Sequence, residues 1–515
     1  MSLSLGSDLP EIGRAAVFGL ARSGLAAVEV LLSRGVEVVA TDAKSREELG
    51  DLPERDGVRY VLGGHPESLL SSVDVVVVSP GIPLLLPVFD AARSRALPVI
   101  SEVELASRLL GGVVVGITGT NGKSTTTALA AALLTAAGRV AVPCGNFGTP
   151  WISFAAPGAR PAGAPPPIWV VELSSFQLEG IRRLAPDVAV HLNLTPDHLD
   201  RYRSLDDYGA AKARIFENQR EAQVAVLNAD DPAVARIRPR ARRFDFSRKA
   251  LPARGVALVG DAFLADLDGG GARPVARRDD LTLPGAHNVE NALAALAATL
   301  PLGVTPEAAA LTFRSFRGLP HRTELVRVLR GVTWYDDSKG TNVDATLKSL
   351  EGFPDGTVHL ILGGKEKGDD FRRLAPRRRV QGRGGAFAEA HVDGPRPGAR
   401  AGVMPQERGR RELGREDGAL QGVVHRDRAC ALPGQKRRRH SEHGDGHRRG
   451  DEASDPRTAH GTYPPWANTT GVRWRIPTAA GVRRPERPRG TPAPRPDGRR
   501  SGYDRGLVSR FPRCE

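Results

Sequence analysis

The stretch Val113-Val114-Val115-Gly116-Ile117-Thr118-Gly119-Thr120-Asn121-Gly122-Lys123-Ser124 opens with a short apolar run, passes through a glycine-rich turn and leads into Ala/Leu/Thr-rich text. It predicts a buried parallel strand, a tight loop and a helix over 124–137. Backbone N–H groups at such a turn, together with the positive end of the helix, can hold phosphate oxygens. In that arrangement Lys123 reaches the terminal phosphates and the Ser124 hydroxyl takes Mg²⁺. The spacing departs from GxxxxGK[ST], because Ile117 stands where the first glycine would be. An ordinary glycine turn with a surface lysine is the competing reading, and the flanking strand and helix weigh against it.

Toward the N-terminus, residues 14–42 repeat the strand–turn–helix–strand order. An apolar run over 15–18 is followed by the turn from Gly19 to Gly24, a helical pattern over 25–34 and a strand over 36–40 that leads to Asp42. Four valines, Val75-Val76-Val77-Val78, predict a further buried strand over 73–78. In the other direction, strands are expected over 168–171, 188–192 and 224–227, with 157–167 a Pro/Gly/Ala-rich surface loop. A third α/β segment begins near Leu319, carries strands over 332–335 and 358–362, and loses its pattern at Pro376. The expected domain boundaries are 1–100, 101–318, 319–376 and 377–515.

The 515 residues hold 73 Lys+Arg and 59 Asp+Glu, a net charge of +14, which by itself points to nucleic acid. The charge is not spread evenly. Residues 377–515 hold 31 Lys+Arg and 16 Asp+Glu, or +15, which leaves 42 and 43, or −1, for 1–376. Only 15 of those last 139 residues are Ile, Leu, Val or Phe, so no packed domain is expected there. Three cysteines, Cys144, Cys430 and Cys514, have no paired spacing, which excludes a disulfide scaffold and a zinc ribbon. No secretory pattern opens the chain, and Pro80, Pro83 and Pro87 break its most apolar stretch. A cytoplasmic protein without a membrane span is expected.

Glu172 ends an expected strand, and His198 and Lys212 follow it. A carboxylate and an imidazole at strand ends beside a phosphate loop can complete Mg²⁺ coordination, although singly each has a structural explanation. Asn288 and Asn291 lie on one face of a helix and can read a purine edge; Asn288 serves equally well as a helix cap. Arg322 and the turn Asp337-Ser338-Lys339 suit a developing phosphoryl charge, as they would also suit surface ion pairs.

Taken together, these segments resemble the Mur ligase family, ATP-dependent amide-forming enzymes of peptidoglycan precursor synthesis. The runs Glu172-Leu173-Ser174-Ser175-Phe176-Gln177-Leu178, Asp197-His198-Leu199-Asp200-Arg201-Tyr202 and Asp337-Ser338-Lys339-Gly340-Thr341-Asn342 are most similar to the branch that adds D-glutamate to UDP-N-acetylmuramoyl-L-alanine. The resemblance runs in order from Phe18 to Phe371. It implies a three-domain α/β architecture: a Rossmann-like N-terminal domain for the UDP-sugar, a P-loop-type central ATPase, and a Rossmann-like C-terminal domain for the amino acid, incomplete here.

The resemblance also implies roles. Arg22, Ser23, Asp42 and Lys44 would surround the uridine diphosphate, with Asn146 and Ser174 nearer the reacting end of that substrate. Gly119, Thr120, Asn121, Gly122, Lys123, Ser124 and Thr125 would hold ATP, with Asn288 and Asn291 at adenine. Arg322, Asp337, Lys339 and Thr341 would bridge from the third domain, and Lys367 would lie near the amino acid. Two Mg²⁺ ions would be held by Ser124, Glu172, His198 and Lys212, the last as a carbamate formed with CO₂. Carbamylation turns a cation that would repel a metal into a carboxylate that binds one. Catalysis would rest on Lys123, His198, Lys212 and Arg322, in a monomer.

Past Pro376 the chain departs from the family. The βα text and the Ser-Pro-Ala loop expected there give way to Arg/Gly/Pro-rich sequence, read as disordered and as the product of a reading-frame shift near codon 376. Three other readings follow from this departure: a sister ligase for another amino acid, a nucleotide-binding remnant unable to ligate, and a genuine basic tail that binds nucleic acid non-specifically. Scattered rather than clustered aromatics in the tail weigh against the last.

Overall fold

The structure, a computed structural model, describes residues 2–161, 163–329, 331–354, 357–362 and 373–374, and the backbone of 422–426. The N-terminal part comprises β1 (Arg14–Phe18), α1 (Arg22–Ser33), β2 (Glu37–Asp42), α2 (Arg46–Leu49), β3 (Val58–Leu62), β4 (Val75–Val78), α3 (Pro87–Ser94) and β5 (Val99–Ser101). Its strands form a parallel sheet in the order β3-β2-β1-β4-β5. All four valines of β4 are buried, as a strand covered by helices on both faces requires. Strand order reverses beside β1, so a crevice opens at the carboxyl ends of β1 and β4. Helix α1 starts at Arg22, three residues before the expected apolar stripe, and Gly24 packs directly on the turn after β1. A Cβ on Gly24 would lie 1.8 Å from the Gly19 carbonyl oxygen, so only glycine fits.

The central part contains α4 (Glu102–Leu109), β6 (Val114–Thr118), α5 (Lys123–Ala136), β7 (Ala141–Gly145), β8 (Ile168–Glu172), α6 (Ser175–Leu178), β9 (Val188–His191), α7 (Leu205–Ala213), β10 (Val224–Leu227), α8 (Pro232–Ala235) and β11 (Arg242–Arg243). Its parallel sheet runs β11-β10-β9-β6-β8-β7, with β6 at the centre. A second, smaller sheet follows: β12 (Asp245–Ser247), β13 (Gly255–Val259), β14 (Ala262–Asp266) and β15 (Arg273–Arg277). The sequence reading did not anticipate it, although the two residues between β13 and β14, Gly260-Asp261, are a hairpin signal. Helix α9 (Ala286–Thr299) packs between α5 and this sheet and is buried from Ala292 to Thr299, whereas α10 (Pro306–Ser315) buries one face.

The third part has β16 (Glu324–Leu329), β17 (Val332–Asp336), α11 (Val343–Leu350) and β18 (Val358–Ile361). The backbone of β19 (Gly422–Arg426) lies between β17 and β18, antiparallel to both. One short strand thus falls inside the stretch expected to lack packed structure, at its β-branched pair Val423-Val424. The rest of the expected tail lies outside the described residues. Strand β16 is exposed throughout, including Leu325, Val326 and Val328.

Two buried carboxylates tie α4 to the segment that follows β8. Glu104 is fully buried and accepts the backbone N–H groups of Arg182, Arg183 and Leu184 as well as the Arg108 guanidinium. Glu102 accepts the Gln177 amide at 2.7 Å, and its Oε2 has no side-chain partner. Burial therefore pushes the Glu102 carboxyl up to about 7. Folding favours the protonated form, so this contribution to stability is intact below the ordinary carboxyl value of 4.5 and is lost as pH rises to 7. At pH 8 the ionised group costs on the order of 3 kcal/mol. Glu102→Gln is expected to raise the thermal midpoint by several degrees at pH 8 and to leave it unchanged at pH 4, as read by paired melting curves.

Candidate active site

The loop between β6 and α5 is built for an anion. Gly122 takes a left-handed φ of 85° at the helix N-cap, and a Cβ there would meet Asn291 Oδ1 at 2.2 Å. The start of α5 presents its first-turn N–H groups, at Lys123, Ser124 and Thr125, toward the cleft with no side-chain cap. The loop itself is pinned from β9: Thr120 and Asn121 donate their N–H groups to the Asn193 carbonyl and to Asn193 Oδ1, at 3.0 and 2.8 Å.

Three basic side chains converge on it. Lys123 Nζ folds back to donate to the carbonyls of Gly119 and Thr120, at 2.9 and 2.7 Å. Lys212 Nζ reaches the Gly119 carbonyl from α7 at 2.8 Å, over the Tyr208 ring. Arg322 Nη2 donates to Ser124 Oγ at 3.0 Å. Burial, with the Arg322 charge, holds Lys123 below its usual range, although Glu172 and Asp197 oppose the shift. Burial and the Lys123 charge press Lys212 much further down.

Glu172, at the end of β8, is buried; its Oε1 accepts Asn146 Nδ2 at 2.8 Å, and its Oε2 has no partner. A buried carboxylate oxygen left open near a loop of backbone N–H groups and a serine hydroxyl fits a hard cation. His198 has a φ of 54° and packs edge-on against Phe176 and Tyr208, the ring over which Lys212 also lies.

The described part of the third segment closes over this loop. Asp344 accepts Asn121 Nδ2 and Thr195 Oγ1 at 3.0 and 3.1 Å, and Asn342 Nδ2 donates to Asp197 Oδ2 at 3.1 Å. Between the starts of α5 and α9 and this segment lies a narrow cleft. Asn288, Asn291, Arg322 and Asp337 line it. Asn291 Nδ2 donates to Asn288 Oδ1 at 3.2 Å, which places the pair on one face as the spacing predicted. Asp337 is buried and accepts Thr323 N–H and Ser349 Oγ; burial raises its carboxyl above the usual range.

The remaining predicted residues lie further apart. Asp42 is buried at the N-terminal crevice, where its carboxylate accepts Leu20 and Lys44 N–H, with Ser23 half-buried and Arg22 and Lys44 exposed nearby. Ser174 caps α6 by accepting Gln177 N–H at 3.2 Å. Lys339 and Thr341 are exposed on the turn after β17. Lys367 lies outside the described residues.

Sequence reasoning missed Asn193, Thr195, Asn342 and Asp344, which reach the loop from distant segments, and His191. His191 ends β9, is 1% exposed, and has no partner at either ring nitrogen. Burial and the two lysine charges push its imidazole down to about 3, so it is neutral.

Residues 117–299 match the family described as Mur ligase middle domain, and residues 13–101 the one described as Mur ligase MurD-like, N-terminal domain. Three relatives carry the name UDP-N-acetylmuramoylalanine--D-glutamate ligase. The chain is 43% identical over 402 residues to that of Acidobacterium capsulatum, covering 75% of this chain and 86% of the relative. For Geobacter metallireducens the values are 46% over 366 residues, 70% and 79%. For Pelotomaculum thermopropionicum they are 44% over 365 residues, 70% and 78%.

Proposed function

The chain belongs to the Mur ligase family of ATP-dependent amide-forming enzymes, and on that premise we propose that it joins D-glutamate to UDP-N-acetylmuramoyl-L-alanine in peptidoglycan precursor synthesis. In this reading residues 1–100 receive the UDP-sugar, 101–318 hold ATP, 319–376 begin the amino-acid domain, and 377–515 stem from a shifted reading frame. The observation that carries it is the convergence of Lys123 and Arg322 on one loop, a mutual repulsion that a polyanion relieves.

The substrate carboxylate attacks the γ-phosphorus of ATP, an O–P bond forms and ADP leaves, giving an acyl phosphate. The amine of D-glutamate then adds to the acyl carbon, loses a proton and expels phosphate. Two anions must meet in the first step, so Lys123 and Arg322 are placed to offset charge on the transferring phosphoryl group. Asn288 and Asn291 would orient adenine, while Asp42 with Arg22, Ser23 and Lys44 would hold the uridine diphosphate. Magnesium, held by Ser124, Glu172, His198 and a carbamylated Lys212, would supply further positive charge at the phosphates. The depressed basicity of Lys212 supports that modification, because only a neutral amine adds to CO₂. Asn121, Thr195 and Asp344 tie the third segment to the loop and would exclude water from the acyl phosphate.

We read the protein as a cytoplasmic monomer; among the described residues no helix is long and apolar enough to cross a membrane. The frame assignment is checked by translating the other two frames past codon 376 and looking for βα text and a Ser-Pro-Ala loop. The function is tested on the frame-restored protein with ATP, the UDP-sugar and single amino acids. Phosphate release is expected with D-glutamate alone; release with L-alanine or a diamino acid would reassign the chain to a sister ligase.

A further inference from the structure

Thr118 and His191 are register partners on β6 and β9, so their side chains share one face of the central sheet. Along β9, Val188 and Val190 pack with α5 and α9, whereas Ala189 faces the other way, toward Ile215 and Phe216 just after Lys212. His191 takes the Ala189 face. Thr118 is fully buried and its Oγ1 has no hydrogen-bond partner, as neither ring nitrogen of His191 has. An N–H and an O–H donor left open side by side in a core are costly, and they signal an acceptor. Lys212 reaches the same strand end: its Nζ donates to the carbonyl of Gly119, the residue after Thr118, and its charge acts on His191.

We propose that His191, with Thr118, is a positioning residue that holds the carboxylate of carbamylated Lys212; the inference rests on the carbamate reading above. The neutral Nζ adds through its lone pair to the carbon of CO₂, an N–C bond forms, one C=O electron pair moves to oxygen, and one proton leaves to solvent. The product keeps an N–H for the Gly119 carbonyl and gains two acceptor oxygens. The free donors of His191 and Thr118 take one of them, leaving the other for magnesium.

The test uses the full chain equilibrated with ¹³C-bicarbonate and followed by ¹³C NMR. A carbamate resonance is expected in the wild type and not in Lys212→Ala. His191→Leu is expected to raise the half-saturating bicarbonate concentration about tenfold, the effect of losing one hydrogen bond to a charged group. His191→Gln, which keeps an N–H donor, should return it to within about threefold of the wild type, and Thr118→Val should raise it by about threefold to tenfold. A resonance that saturates identically in wild type and His191→Leu overturns the inference and leaves the carbamate standing. No resonance dependent on Lys212 overturns both. Should His191→Leu fail to fold, Thr118→Val decides by the same shift or its absence.

Discussion

Lys123→Ala is expected to abolish nucleotide binding and turnover. Saturating Mg·ATP should raise the melting temperature of the wild-type chain and leave that of the variant unmoved, because stabilisation by a ligand follows its affinity for the folded state. In the frame-restored protein kcat/KM for ATP should fall by about three orders of magnitude, as when a preorganised charge is removed from a phosphoryl-transfer site. The variant should still fold. Folding holds Lys123 below its usual basicity, so its charge opposes the folded state at neutral pH. The apparent melting temperature of the ligand-free variant should match or exceed that of the wild type. A variant that is merely destabilised would show the reverse pattern: a lower melting temperature with the nucleotide response retained.

Glu172→Gln is the second large effect. The substitution keeps the shape of the side chain and the oxygen that accepts Asn146 Nδ2, but replaces the unpartnered Oε2 with an amide nitrogen that cannot ligate a cation. Apparent magnesium affinity, read from the Mg²⁺ dependence of ATP binding, should weaken by about 10- to 100-fold. Binding of metal-free ATP should be unchanged or slightly tighter, since one negative charge is gone. Equal magnesium titrations in the two proteins would remove Glu172 from the metal site.

Much of this was legible in local sequence. The strand at 114–118, the loop and α5 follow from a four-to-five-residue apolar run, two glycines and a helical pattern, all within 25 residues. The four valines of β4 could hardly be anything but a buried parallel strand. The β12–β15 sheet was missed because its strands are short, interrupted by charged residues and connected by a glycine-rich segment whose turn chemistry went unread. Asn342 and Asp344 were missed for a different reason. They meet Asn121 across more than 200 positions, and no periodicity encodes such a pairing. His191 sits in a strand of valines and reads as a core histidine; only the structure reveals that it lacks the partner a core histidine needs. For Arg322 and Lys212 residue type pointed to the chemistry, while their meeting at the Gly119–Ser124 loop came from the fold.

The account stands on a carboxylate activated by transfer of the terminal phosphoryl group of ATP. Its most direct test follows oxygen: the frame-restored protein is given ATP, D-glutamate and UDP-N-acetylmuramoyl-L-alanine labelled with ¹⁸O in its carboxylate, and the released phosphate is analysed by mass spectrometry. One labelled oxygen per phosphate is predicted, because the acyl phosphate breaks at its acyl carbon. Phosphate released without label would contradict it.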